Sequence, residues 1–179
     1  YVFYCFKINS HVIINYDGKL PLKYKIYNMI TIEEFKKKHS KKVRFIGLDL
    51  GSKRIGVSIC DEKQLIATPF KTINKTNTNS LIDDLKKIIK ENNIEGIIIG
   101  NPVNMDGSLG RSAQSVNDVA TNISKSIELP TILWDERLST VGAFNISSQL
   151  DVNVSKRVKT IDQNAAAFIL QGAIDFLNN

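Results

Sequence analysis

Three carboxylates stand at points of the sequence where a strand ends or a helix begins. Asp49 closes the run VRFIGLD, Glu136 follows TILWD, and Asp162 opens the helical pattern IDQNAAAFIL. Three carboxylates held together repel one another unless a cation lies among them. Mg²⁺ prefers oxygen ligands and shares its shell with water and phosphate, and two such ions can activate water and stabilise a leaving oxygen. These residues therefore point to phosphodiester hydrolysis with Mg²⁺ or Mn²⁺.

Each acid also has an ordinary structural explanation. Asp49 could cap the turn that follows it, and Glu136 and Asp162 could be first-turn acids favoured by a helix dipole. The functional interpretation rests on their coincidence at one predicted edge of a sheet. It is also favoured by the absence of His from residues 43–179, which counts against serine–histidine catalysis.

Basic side chains occupy the same connections as the acids. Any one of them could be a solvated loop charge, but together they could form a positive rim for a phosphate backbone. The residues predicted to bind substrate are Lys53, Arg54, Arg111, Arg137 and Lys159, with Lys156 and Arg157 beside the last. The loop NPVNMDGSLGRS could cradle a phosphate at a helix start or act as a lid.

The first half of the domain pattern predicts an antiparallel meander. Short links join three extended runs, Val43–Asp49, Arg54–Cys60 and Leu65–Ile73. Pro69 favours an edge position for the third run, because proline cannot donate to a neighbouring strand.

The second half alternates helices with short apolar strands. The predicted elements are a helix capped by Asn79 or Ser80, the strand Gly96–Gly100, a helix through Val116–Ile127, the strand Thr131–Trp134, a helix from Ser139 or Thr140, and a last helix from Thr160. Thr160 and Gln163 match a capping box, which places Asp162 in the first turn. The order predicts a mixed α/β sheet with helices on both faces and ligands beyond its carboxyl edge.

The length, charge and cysteine content of the chain narrow the possible types of protein. The 179 residues suit one domain, and no apolar run approaches the ~18 residues of a membrane span. Residues 1–42 hold nine Lys against three acids, whereas residues 43–179 are electrically balanced. The net charge of +6 is therefore no evidence that the body of the protein binds nucleic acid. Two scattered Cys favour a reducing, intracellular setting.

Residues 1–42 are predicted to be an N-terminal extension of a domain formed by residues 43–179. Residues 1–28 alternate aromatic and β-branched residues around a predicted Asp17-Gly18 hairpin turn. Met29 is a plausible start, so residues 1–28 are interpreted as upstream or appended sequence. Expression from Met29 tests this interpretation, because loss of folding would show that the segment belongs to the domain.

Four motifs together resemble the YqgF (RuvX) family of Holliday-junction-resolvase-like nucleases. They are GLDLGSKRIGVSICD, GNPVNMDGSLGRSAQSV, LWDERLST and TIDQNAAAFILQGAIDFL, in order between Phe45 and Leu177. The resemblance implies an RNase H-like fold, in which a five-stranded mixed sheet has its first three strands antiparallel. It also implies that Asp49, Glu136 and Asp162 form the family's acidic triad.

The resemblance implies a role in trimming the 5′ end of precursor 16S rRNA in the bacterial cytoplasm. Resolution of Holliday junctions in DNA is the older alternative. Two positions depart from the family pattern: Asn101 stands where the family usually has Leu, and Val141-Gly142 replaces its Val-Ala pair.

Two other classes of protein share part of the pattern. Actin-like kinases and chaperones also begin with a strand, Asp-x-Gly and a hairpin, but they need two such domains and this chain has room for one. A non-catalytic RNA- or DNA-binding factor would also be consistent with every acid, and independence of binding from divalent ions would identify it. A dimer would suit a two-fold junction and a monomer an RNA end, so we expect a monomer or weak homodimer.

Overall fold

The computed structural model of the chain describes residues 4–8, 11–15, 29–38, 42–104, 106–108, 110–138 and 154–179. The strands are β1 Tyr4–Ile8, β2 His11–Asn15, β3 Arg44–Leu50, β4 Arg54–Cys60, β5 Ala67–Asn74, β6 Ile94–Asn101 and β7 Thr131–Asp135. The helices are α1 Ile32–Lys38, α2 Thr78–Asn92, α3 Arg111–Ser126 and α4 Val154–Asn178, with a 3-10 turn at Glu136–Leu138. The helix predicted from Ser139 or Thr140 lies outside the described residues.

The central sheet has five strands in the order β5-β4-β3-β6-β7. Strands β3, β4 and β5 pair antiparallel, whereas β6 pairs parallel with both β3 and β7. This confirms the predicted mixed sheet with an antiparallel first trio. Pro69 lies on β5 at the edge of the sheet, as predicted, and the β4–β5 register shifts beside it.

Helices cover both faces of this sheet, so the protein has three layers. On one face α2 and α3 bury an aliphatic cluster that includes Leu48 and Ile99. On the other face α1 and α4 bury a cluster that includes Phe45 and Ile98. Neighbouring residues of β3 and β6 therefore enter opposite cores, which explains why GIIIG is apolar throughout. None of the helices described is both long and apolar enough to cross a membrane.

Helix α4 begins six residues earlier than the sequence predicted. It starts at Val154, so Asp162 lies in its third turn, and Thr160 is no N-terminal cap. The β-branched residues Val154 and Val158 lower helix propensity only slightly, and neither Gly nor Pro interrupts residues 154–160. The predicted capping box was therefore wrong. So was the placement of Asp162 in the first turn of this helix.

Part of the N-terminal segment packs against the sheet. Phe35 of α1 is 1% exposed and meets the Phe45 ring edge-on, with 5.0 Å between centroids. The backbone N–H of Ile30 donates to the Thr131 carbonyl of β7. Strands β1 and β2 pair antiparallel, with Ile8 opposite His11. The predicted Asp17-Gly18 turn lies outside the described residues. The division of the chain at residue 42 stays a prediction.

The N-terminal cap of α2 is Asn77, which precedes both predicted cap residues, Asn79 and Ser80. The Asn77 Oδ1 accepts a hydrogen bond of 2.9 Å from the Ser80 backbone N–H. We expect Asn77→Ala to lower the free energy of unfolding by about 1 kcal/mol, because it orphans this N–H. Asn79→Ala, two residues on, is the matched control and should cost nothing, since alanine favours a helix interior. Urea unfolding of both variants measures this, and equal losses would contradict it.

Candidate active site at the carboxyl edge of the sheet

The predicted acids gather where the parallel strands end. Asp49 is the penultimate residue of β3, and Glu136 follows β7 directly in the 3-10 turn. Side chains alternate along a strand, so Asp49 lies on the same face as Phe45. A Cβ on Gly100 of β6 would meet Glu136 Oε1, so Glu136 lies on the face of β6 that also bears Ile98. Both neighbours belong to the core beneath α4. The two carboxylates therefore stand on the α4 side of the sheet edge, and both are half-buried.

The close approach of α4 to the sheet brings the third acid to the same place. Gly56 of β4 faces α4 so closely that a Cβ there would overlap the Asp162 carbonyl oxygen. Gly56 is also the register partner of Asp49 on β3. Asp162 is thus set beside Asp49 by backbone contact. One turn further along α4, the Ser58 hydroxyl donates a 2.8 Å hydrogen bond to the Ala166 carbonyl and fixes the helix.

A second glycine lets Glu136 reach across the intervening strand, β6. In the sheet order, β6 separates β7 from β3, so Glu136 must pass over β6 to approach Asp49. A Cβ on Gly100 of β6 would lie 2.5 Å from Glu136 Oε1. The carboxylate therefore occupies the space that a side chain at Gly100 would fill.

The three acids influence one another electrostatically. Burial raises the pKa of Asp49, and the nearby charge of Asp162 raises it further. Burial also raises the pKa of Glu136, with added contributions from Asp49 and then Asp135. Asp49 therefore stands within electrostatic reach of both other acids and occupies the middle of the group. A bound cation would relieve this repulsion.

The donor chemistry of this group fits a divalent cation that prefers oxygen. Asp162 Oδ2 is buried and accepts no hydrogen bond from the described residues. Within the described part of the chain, however, no three Asp, Glu, His or Cys side chains lie close enough to hold one ion together. Asp162 Oδ2 instead lies 2.9 Å from the Arg54 Nε, in an ion pair across β4 and α4.

The Arg137 guanidinium is held by contacts with residues at the end of β7 and in the loop after β6. Its guanidinium contacts the Asp135 carboxylate at 2.6 Å and donates to the Asn104 carbonyl at 3.3 Å. The hydrogen bonds from Arg137 lower the pKa of Asp135. Asp106 accepts hydrogen bonds from the Ser108 N–H and hydroxyl within the same loop. Arg137 therefore ties the loop after β6 to the end of β7.

Of the other predicted substrate-binding residues, two are exposed near the acids and one has a side chain outside the described residues. Lys53 is exposed in the β3–β4 turn, and Arg111 is exposed at the first position of α3. Both stand at the same edge of the sheet as the acids. Lys159 belongs to the second turn of α4, but its side chain lies outside the described residues, as do those of Lys156 and Arg157.

Sequence reasoning missed the two glycines that bring the acids together. A glycine inside an otherwise regular strand often marks a close approach of another backbone; RIGVSIC contains Gly56, and GIIIG ends with Gly100. That signal was present but does not reveal which element approaches. The Arg54–Asp162 pair carried no signal in sequence, because it depends on the contact between β4 and α4.

Comparisons with known proteins agree on the type of fold and family. Residues 43–176 match the model of the family described as RuvX, Holliday junction resolvase. A "Putative pre-16S rRNA nuclease" of Pelagibacter ubique (strain HTCC1062) is 89% identical over 151 residues, which cover 84% of this chain and 100% of that protein. A protein of the same name from Rhodobacter capsulatus is 47% identical over 131 residues, covering 73% of this chain and 82% of that protein.

The solved structures support the fold. RuvC of T. thermophilus in complex with a Holliday junction substrate superposes with a TM-score of 0.51, over 74% of this chain and 93% of that chain. The two sequences are 11% identical. The shared architecture is the RNase H-like fold of RuvC-type resolvases, which confirms the predicted fold class.

Proposed function

Because this chain belongs to the RuvX family of Holliday junction resolvases, we propose that it is a metal-dependent nuclease that hydrolyses phosphodiesters. We take precursor 16S rRNA as its substrate, cut at the 5′ end in the cytoplasm, since relatives that are 89% and 47% identical carry the name pre-16S rRNA nuclease. The observation that supports catalysis is the grouping of Asp49, Glu136 and Asp162 at one sheet edge, with Asp49 electrostatically linked to both others.

The three acids are the proposed ligands of Mg²⁺ or Mn²⁺. Asp49 has the central role because it lies between the other two, and Glu136 and Asp162 complete the set. Two bound ions would supply an activated water and stabilise the leaving oxygen. The protein contributes a rigid placement of the ligands: Asp49 is fixed by the β3–β4 ladder, and Asp162 by the packing of α4 on Gly56.

The basic residues are proposed to bind the nucleic-acid backbone. Lys53, Arg54 and Arg111 stand at the same edge and can meet phosphates on either side of the scissile bond. Lys159 is included on its position in α4 alone. Arg137 contributes by holding the loop after β6 through Asp135 and the Asn104 carbonyl, so its effect on substrate is indirect.

Cleavage of a branched DNA junction is the second candidate function. It is favoured by the description of the matching family model as a Holliday junction resolvase. A two-fold junction would suit a dimer, whereas an RNA end would suit a monomer. Sedimentation of the purified protein with each substrate would therefore separate the two functions as well as report the oligomeric state.

The decisive experiment compares two substrates under matched conditions. Precursor 16S rRNA and a four-way DNA junction are incubated with the full chain in Mg²⁺, Mn²⁺ or EDTA. We expect cleavage near the 5′ end of the mature rRNA sequence, and none in EDTA. Preferred cutting of the junction would reassign the substrate. Binding of RNA that is equal in EDTA and Mg²⁺, with no product in either, would identify a non-catalytic binding factor.

Gly100→Ala tests whether Glu136 must cross β6. The new Cβ would meet only the ends of flexible side chains, Glu136 Oε1 and the tip of Ile169, so the fold can adjust. We expect the free energy of unfolding to fall by less than about 2 kcal/mol. Cleavage should fall about ten- to a hundredfold, because Glu136 is displaced from Asp49. A cleavage rate equal to that of the unchanged protein would show that the position of Glu136 is unimportant.

A further inference from the structure

The ion pair between Arg54 and Asp162 has one buried and one accessible partner. The Nε of Arg54 lies 2.9 Å from Asp162 Oδ2, and the two side chains are 45% and 19% exposed, respectively. The carboxylate is thus enclosed between α4 and the sheet, while part of the guanidinium faces solvent. A ligand arriving from solvent can reach Arg54 without first displacing the helix.

The backbone fixes this pairing. Arg54 opens β4 two residues before Gly56, so both residues are directed to the α4 face of the sheet. The Asp162 carbonyl stands directly over Gly56. The Arg54 side chain therefore meets the Asp162 carboxylate because the same close contact aligns the two elements.

The pair has a direct consequence for the acidic group. Asp162 Oδ2 is turned towards Arg54 and accepts no hydrogen bond from any described residue. In the described part of the protein the acids are near one another, yet no three of them are arranged to hold one ion. The guanidinium competes with a cation for the same carboxylate oxygen.

We propose that Arg54 exchanges partners when nucleic acid binds. In the free protein it holds Asp162, and on arrival of a nucleic-acid backbone it moves to a phosphate, which releases Asp162 to the cation. Arginine suits this exchange because its planar guanidinium binds carboxylate and phosphate with similar geometry. The inference rests on the proposed function and deepens it: backbone phosphate and divalent ion bind with positive coupling through one side chain.

Such coupling is reciprocal. If nucleic acid strengthens the binding of the ion by some factor, the ion must strengthen the binding of nucleic acid by the same factor. The ion pair is partly exposed, so the expected factor is modest, about three- to fivefold. The full chain would consequently assemble its metal site mainly on its substrate, and bind free divalent ions less tightly than three clustered carboxylates otherwise would.

The test measures Mn²⁺ affinity by calorimetry, without cleavage as the readout. The full chain, Arg54→Gln and Lys75→Gln are titrated with Mn²⁺, alone and with a twelve-nucleotide 2′-O-methyl RNA whose integrity is checked on a gel. Lys75 is the matched control because its backbone N–H contacts the Lys53 carbonyl beside the same turn, while its ammonium is not paired with Asp162. Urea unfolding of each variant verifies that it is folded.

We expect Arg54→Gln alone to bind Mn²⁺ about three- to fivefold more tightly than the unchanged chain, with a correspondingly smaller gain from the oligonucleotide. Lys75→Gln should keep the full gain. Equal affinities of the two variants would overturn the exchange, while Mn²⁺ binding by both variants would leave the proposed nuclease intact. Failure of the unchanged chain to bind Mn²⁺, with or without oligonucleotide, would overturn both proposals.

Discussion

Asp49→Asn should abolish cleavage and at the same time make the folded protein more stable at neutral pH. The central carboxylate is the one that both other acids approach, so its loss removes the common ligand of the proposed ions. Loss of several kcal/mol of transition-state stabilisation corresponds to a fall in rate of at least about a thousandfold. Asparagine has the same shape, so the β3–β4 pairing of Asp49 with Gly56 is retained.

The gain in stability follows from the direction of the pKa shift. Burial and the charge of Asp162 raise the pKa of Asp49, so the folded protein binds this proton more tightly than the unfolded chain. Stability contributed by the protonated group is therefore lost as pH rises through the raised pKa. Neutral asparagine avoids that loss, and we expect a gain of about 0.5–2 kcal/mol at neutral pH.

The pH dependence separates this effect from a general improvement in packing. Below the ordinary carboxylate pKa of about 4, Asp49 is protonated in both states, so the gain should vanish. Asp83→Asn, on the exposed surface of α2, is the control and should change neither cleavage nor the pH profile of unfolding. Retained cleavage by Asp49→Asn would remove this residue from the mechanism. A loss of stability at neutral pH would contradict the electrostatic account.

Gly56→Ala should damage both the fold and the site. The added methyl group would overlap the Asp162 carbonyl oxygen, which belongs to helix backbone and cannot rotate away. We expect the free energy of unfolding to fall by about 3 kcal/mol, at the upper end of overpacking effects. Because α4 must move outward, Asp162 also leaves Asp49, and residual folded protein should cleave at least about a hundredfold more slowly.

Gly110→Ala is the matched control for this substitution. A Cβ at Gly110 would find its nearest neighbours in the Asn104 side chain at 3.4 Å, and its φ of −71° suits any residue. Gly110 caps α3, so we expect a loss of only about 0.5–1 kcal/mol. Urea unfolding and cleavage are measured on both variants. If Gly56→Ala loses no more stability than Gly110→Ala, the contact between α4 and β4 is looser than the structure indicates.

The sheet was predictable because local patterns and short connections determine most of it. Strand β4 matched its predicted bounds, and β6 and β7 lay where short apolar runs placed them. The start of α4 was not predictable in the same way, since residues 154–160 are compatible with both loop and helix. Packing of the later turns of α4 against the sheet therefore determines where the helix begins, because helix propensity is only a weak guide.

The candidate site was likewise only partly predictable from the sequence. The positions of Asp49 and Glu136 at strand ends followed from hydrophobic runs that stop beside them. The partners of the charged side chains could not be predicted in the same way, because Arg54 meets Asp162 only where α4 packs on β4. Pairings across elements depend on the exact separation of helix and sheet, which Gly56 sets. Sequence thus identified the charged residues, but not which of their charges are already engaged.

The contact between Gly56 and Asp162 joins positions more than a hundred residues apart in the chain. Closing so long a loop carries a large entropic penalty, and contacts of this range generally form late. A polypeptide that has completed only its β3–β4 hairpin therefore holds a single member of the triad. Competence to cut should appear only with the final docking of α4, so a half-formed molecule is harmless to the nucleic acids around it.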